Sequence, residues 1–115
     1  MSMQENQDHG DEVFVFMERI TPIEGREDDV LSITRKSAKL LQGQPGMIQS
    51  MVTQSEKKGG ELCSVTVWQK KADFQSFMKT DAVAALLESE DFKNIKNWMS
   101  EYDMQMMNLV DGWHG

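Results

Sequence analysis

The stretch Ser64–Asp81, SVTVWQKKADFQSFMKTD, decides how the rest of the chain is read. Its first half alternates β-branched residues and reads as a strand ending on Trp68. Its second half spaces Phe74, Phe77 and Met78 as on the buried stripe of a helix. A strand that turns straight into a helix, with a tryptophan at the join, sets a large aromatic between two layers. Trp68 there has two roles open to it, filling the core or walling a ligand pocket.

Upstream, the strand Glu61–Trp68 follows EKKGG, a polar, glycine-rich link suited to a hairpin, and before that PGMIQSMVTQS, a turn at Pro45-Gly46 leading into a strand. EKKGG has lysines and glycines but not the strand–loop–helix context of a phosphate cradle. Downstream, DAVAALLESEDFKNIKNWM keeps helical spacing with a break expected near Ser89. EYDMQMMNLV, Glu101–Val110, reads as a last strand, although its methionines would tolerate a helix.

At the other end, VFVFMERI, Val13–Ile20, reads as a first strand, followed by a turn at TPIEG. From Glu27 to Leu41 the positions Val30, Ile33, Ser37, Leu40 and Leu41 recur at helical spacing, with Glu27, Asp28 and Asp29 favouring the positive end of the dipole and Gly43 closing the helix. The order is β-α-β-β-α-β, an α+β ferredoxin-like fold with a four-stranded antiparallel sheet and helices on one face. Val13, Val15 and Met17 alternate with Phe14, Phe16 and Ile20, and Cys63, Val65 and Val67 alternate with Leu62 and Trp68, so both sheet faces are apolar. A second copy of the chain is the expected cover for the face without helices, with MNLVDGWHG at the C-terminus as a segment that would reach across.

The 115 residues are enough for one domain, with 39% apolar content for its core. The expected division is an acidic, disordered tail over residues 1–12 and one domain over 13–115. The net charge of −7 is concentrated at that tail: Glu5, Asp8, Asp11 and Glu12 lie there without a lysine or arginine. The remainder is near balance, which argues against nucleic acid as a partner. The chain contains no apolar run of membrane-spanning length, and its start resembles no signal peptide, so no membrane partner and a cytoplasmic location are expected. The single Cys63 excludes an intrachain disulfide and fits a reducing compartment. It is expected as a buried thiol, with no neighbouring histidine or base to activate it. Met104, Met106 and Met107 are expected to fill gaps or an interface, since soft-metal sites rarely use methionine alone, and no metal site is expected.

The chain resembles the antibiotic biosynthesis monooxygenase family, dimeric α+β barrels that include quinone-forming monooxygenases and haem-degrading enzymes. The similar parts are a first strand ending RITPIEGREDD, the helix ending before QPGM, and TVWQKKADFQSFMKTD, and the resemblance covers roughly Val13–Val110. The resemblance implies a homodimer, a small aromatic ligand and, in the quinone-forming members, oxygenation without a cofactor. In the haem-degrading members an asparagine, a tryptophan and an iron-ligating histidine occupy positions that here hold Glu18, Phe77 and Leu87, and leucine cannot ligate iron. The only histidines, His9 and His114, lie in the termini. The quinone-forming members match at Trp68, but their asparagine and tyrosine are Ser64 and Phe74 here.

Oxygenation without a cofactor needs an electron-rich substrate, a base to remove its proton, and a dry aromatic cavity. Alternation along the first strand puts Glu18 on the face of Phe14, Phe16 and Ile20, a carboxylate in an apolar row. It is either that base, its pKa raised by burial, or a sheet-edge group satisfied by a lysine or arginine. Ser64, Thr66 and Trp68 share one face, so two hydroxyls and an indole N–H are candidates to meet one ligand, walled by Phe74 and Phe77. Two functions fit: a cofactor-independent monooxygenase acting on a small aromatic or quinol-like substrate, or a non-catalytic dimeric module that binds a small apolar metabolite.

Overall fold

A computed structural model describes residues 12–112. The acidic tail expected over residues 1–12, both histidines and the last residues of the C-terminal segment fall almost wholly outside them. Four strands, β1 (Phe14–Pro22), β2 (Met47–Gln54), β3 (Leu62–Trp68) and β4 (Met99–Asn108), form one antiparallel sheet in the order β2-β3-β1-β4. Helix α1 (Glu27–Ala38) links β1 to β2, and α2 (Lys71–Met78), α3 (Asp81–Glu88) and α4 (Glu90–Asn97) link β3 to β4. This is the ferredoxin-like topology, with the second helix of the pattern divided into three.

The divisions have local causes. Ser89 ends α3 and caps α4, accepting from the Phe92 amide at 3.2 Å. A further break before α3, not expected from the spacing, is made by Thr80, whose hydroxyl accepts from the Val83 amide. α1 continues as a single 3-10 turn over Lys39–Leu41, so its apolar stripe ends where the spacing placed it. Gly46 has φ of 80°, and a Cβ there would lie 2.1 Å from Asp73 Oδ2. Only glycine lets the β2 entrance sit this close to α2.

The strand register assigns the faces. Phe14, Phe16, Glu18 and Ile20 pair with Trp68, Thr66, Ser64 and Leu62 on β3, and with Asn108, Met106, Met104 and Tyr102 on β4. These point toward the helices. Two clusters of buried residues lie between the layers. One, around Ile20, Val30, Ile33, Leu62 and Ile95, is aliphatic. The other, around Phe14, Trp68, Phe74 and Leu41, is mostly aromatic. Val15 and Met17 on β1, Cys63, Val65 and Val67 on β3, and Met51 on β2 point the other way, where no described helix lies. Cys63 is therefore half-buried on the bare face, not enclosed as expected, because no described layer covers that face. Among the described residues no helix is long and apolar enough to cross a membrane.

Candidate functional site

The site grows out of a mismatch in the helix-facing layer. The ends of β1 and β3 contribute apolar side chains to the two clusters, but at their middle Glu18 stands opposite Ser64 and Phe16 opposite Thr66. Small hydroxyl residues and a carboxylate cannot fill the space that leucine or phenylalanine would, so a cavity is left beneath the helices. Two pockets, of about 290 and 280 Å³, adjoin there as lobes that share six lining residues. Glu18, Ser37, Ser64 and Tyr102 border both and form a polar waist, with Leu86 and Phe92 above.

The first lobe lies over the aliphatic cluster and is lined by Ile20, Ile33, Ile95 and Met99. Thr34 also borders it, but its hydroxyl donates to the Val30 carbonyl at 2.8 Å, as the Ser37 hydroxyl does to Ile33 at 2.9 Å. The second lobe lies over the aromatic cluster, with Phe16, Trp68, Phe74 and Phe77 around it. Phe74 is the hub: its ring centroid is 4.8 Å from that of Phe16, 5.2 Å from Phe14 and 5.8 Å edge-on from Trp68. The cavity reaches the surface beside the edge strand β4, where Tyr102 and Met104 are each about half exposed.

The structure brings Glu18, Ser64, Thr66, Trp68, Phe74 and Phe77 to one cavity. Their individual settings differ from the expectations in two respects. The indole N–H of Trp68 donates to the Thr66 hydroxyl at 2.9 Å, and the ring has no exposed surface. Trp68 thus backs the cavity by packing, and its N–H is already spent within the protein. Among the described residues no ion pair joins Glu18 to a lysine or arginine. Its neighbour Arg19 points to the opposite face and pairs with Glu61 at 3.2 Å, while the Glu18 carboxylate accepts a short hydrogen bond from the Tyr102 phenol.

Tyr102 is the site residue that the sequence reading missed. Its phenol is held above its ordinary pKa of 10.0, first by burial, then by the bond to Glu18 and by the negative charges of Glu18 and Asp103. The signal was present: antiparallel pairing of the last strand with the first would have put Tyr102 and Met104 on the Glu18 face. Leu87, at the position of the haem-degrading members' histidine, borders the aromatic lobe. Among the described residues, no group of three or more histidine, cysteine or acidic side chains could hold a metal ion.

The sequence matches the antibiotic biosynthesis monooxygenase family over residues 13–98. Among curated proteins none matches it. Similar solved structures include SnoaB, a cofactor-independent oxygenase from Streptomyces nogalater, with 13% identity, a TM-score of 0.71, and 88% of this chain and 96% of that one covered. A proposed antibiotic biosynthesis monooxygenase from Caulobacter crescentus has 12% identity and a TM-score of 0.72 over 96% of this chain and the whole of the other. A Bacteroides thetaiotaomicron protein of unknown function has 11% identity and a TM-score of 0.71 over 86% of this chain and 99% of the other. At such identities the structures establish the shared fold, not shared site residues. The family match over most of the chain shows that this protein belongs to the antibiotic biosynthesis monooxygenase family.

Proposed function

We propose that the protein is a cofactor-independent monooxygenase acting on an electron-rich phenol or quinol, and that it works as a cytoplasmic homodimer. The observation that carries the reading is the carboxylate of Glu18 at the polar waist between an aliphatic and an aromatic-walled lobe, already accepting a hydrogen bond from one phenol, Tyr102. A substrate phenol would take the same position on Glu18. Proton transfer to the carboxylate leaves an electron-rich phenolate, and the apolar walls keep it from water. Oxygen then takes electrons from the ring. One of its atoms bonds to a ring carbon and the other leaves as water, so that a phenol with a free ring position becomes a quinone. The substrate supplies all four electrons that reduce oxygen. Family membership and the SnoaB likeness support the reaction class.

Oxygen uptake with a panel of phenols, naphthols and hydroquinones tests the reading. Glu18→Gln keeps the shape and removes the base, so kcat/KM is expected to fall about 10²-fold with folding intact. Equal rates in parent and variant, or no uptake by the parent, would overturn it. In that event saturable binding of the same phenols would leave a dimeric binding module.

The dimer is supported by the bare sheet face. Val15, Met17, Val65 and Val67 form an apolar row that no described element covers. Two such faces are self-complementary under twofold symmetry.

A further inference from the structure

The two lobes are chemically unlike, and that asymmetry specifies a substrate more closely than the reaction class does. Each lobe alone falls short of the roughly 300–1,000 Å³ usual for a small-molecule site, and joined they lie within it. A ligand that fills both must pass the waist. A planar ring suits the aromatic lobe, where Phe16, Phe74 and Phe77 offer ring faces and edges. The other lobe offers isoleucine and methionine side chains; its threonine hydroxyl is turned to the Val30 carbonyl, and the Lys96 ammonium at its border lies over the Phe92 ring, 4.8 Å from the centroid. It rewards flexible hydrocarbon and has little to offer a second polar ring.

We infer that the cavity takes an alkyl-substituted phenol whose tail is attached next to the hydroxyl. The hydroxyl must lie at the waist to meet Glu18, and a tail bound for the aliphatic lobe must leave the ring at the waist too. Only a substituent ortho to the hydroxyl satisfies both. A para tail would point away from the aliphatic lobe, toward buried Trp68 and Phe74 or out past half-exposed Met104, and in neither direction would it meet the isoleucine side chains. The orientation of the phenol rests on the proposed role of Glu18. The division into a ring lobe and a tail lobe does not.

Ortho and para isomers of one alkylphenol are equally apolar, so comparing them separates geometry from hydrophobicity. Calorimetric titration of the full chain with methyl-, propyl- and pentylphenols is expected to show Kd tightening by about fourfold per methylene in the ortho series, and little change in the para series. Ile95→Phe, which fills the aliphatic lobe, should flatten the ortho series relative to that of the parent. Should that variant not fold, Ile33→Ala enlarges the same lobe and should move the preference to longer ortho tails. Parallel ortho and para series, no dependence on length, or no binding of any phenol would each overturn the inference. Oxygen uptake with equal isomers would overturn it and leave the oxygenase reading standing. An ortho preference without oxygen uptake supports it and defeats the oxygenase reading alone.

Discussion

The two faces of the sheet invert the usual rule. Under the helices, where burial favours hydrocarbon, the middle of the sheet carries Glu18, Ser64 and Thr66, with Tyr102 beside them. On the bare face, where water would favour polar groups, the middle carries Val15, Met17, Val65 and Val67. Polarity beneath a roof costs stability and is kept where something polar is to be bound. Apolarity without a roof marks a surface that acquires one by association. On the proposed reading the two faces divide the work, one taking a ligand and the other a second copy of the chain.

The strongest challenge to this contrast is a charge at the centre of the bare face. Val65 has Met17 and Met51 as its cross-strand neighbours. Val65→Lys would place an ammonium between two apolar sheets, and it should weaken dimerisation by about 10²-fold or more while a folded monomer remains soluble. Sedimentation velocity at micromolar concentration reads this directly. A parent that already sediments as a 13.2 kDa monomer would remove the second half of the comparison.

The next largest effect lies on the covered face. Thr66 is buried, and its hydroxyl is the acceptor for the Trp68 indole. Thr66→Val keeps the volume but leaves a buried N–H without a partner, at a cost of about 1–3 kcal/mol. Urea unfolding should show a lower midpoint with an unchanged slope. If stability holds, the Thr66–Trp68 bond is not what the hydroxyl is for, and Thr66 joins the ligand-facing group.

These residues also mark how far the sequence could be read. The alternation of Phe14, Phe16, Glu18 and Ile20 fixed both faces of β1, and the strand-to-helix join at Trp68 fixed the order of layers, because period-two and helical patterns are local. What was not legible depends on pairs distant in sequence. The Glu18–Tyr102 bond spans 84 positions and exists only because β4 lies beside β1. The Thr66–Trp68 bond is local, yet two polar groups on one strand face can equally turn to each other or to a ligand, and spacing does not choose between them. The break at Thr80 was hidden because the apolar spacing continues across it, while the capping hydroxyl is one residue in a helical run.

Ser64 sharpens the contrast from the opposite direction. It stands opposite Glu18 at the waist and borders both lobes, so a larger apolar side chain there would occupy cavity space. Ser64→Val should raise stability by about 1 kcal/mol through added apolar burial, and lower the affinity for phenols. Thermal unfolding and ligand titration should move in opposite directions. A variant that loses stability would show that the hydroxyl serves the fold and that the covered face is not a compromise for binding.

The smallest expected effect is the most specific. Tyr102 is the only tyrosine of the chain, so phenolate absorbance in the near ultraviolet titrates it alone. Its pKa lies above the ordinary 10.0 because burial and then Glu18 disfavour the phenolate. A raised folded-state pKa means that this contribution to stability is complete below pH about 10 and is lost as pH rises through the folded value. Because the ring is about half exposed, solvent screens the effect and the slope is slight. Comparing parent and Tyr102→Phe at pH 9 and above isolates it from the lysines, which titrate in both, and the parent should lose slightly more stability over that range. The two causes separate in Glu18→Gln: removing the charge should bring the absorbance midpoint down, while burial keeps it above 10. A midpoint unmoved by Glu18→Gln would mean that the phenol does not rest on the carboxylate. Glu18 would then stand free at the waist, and a substrate phenol would bind it without displacing Tyr102.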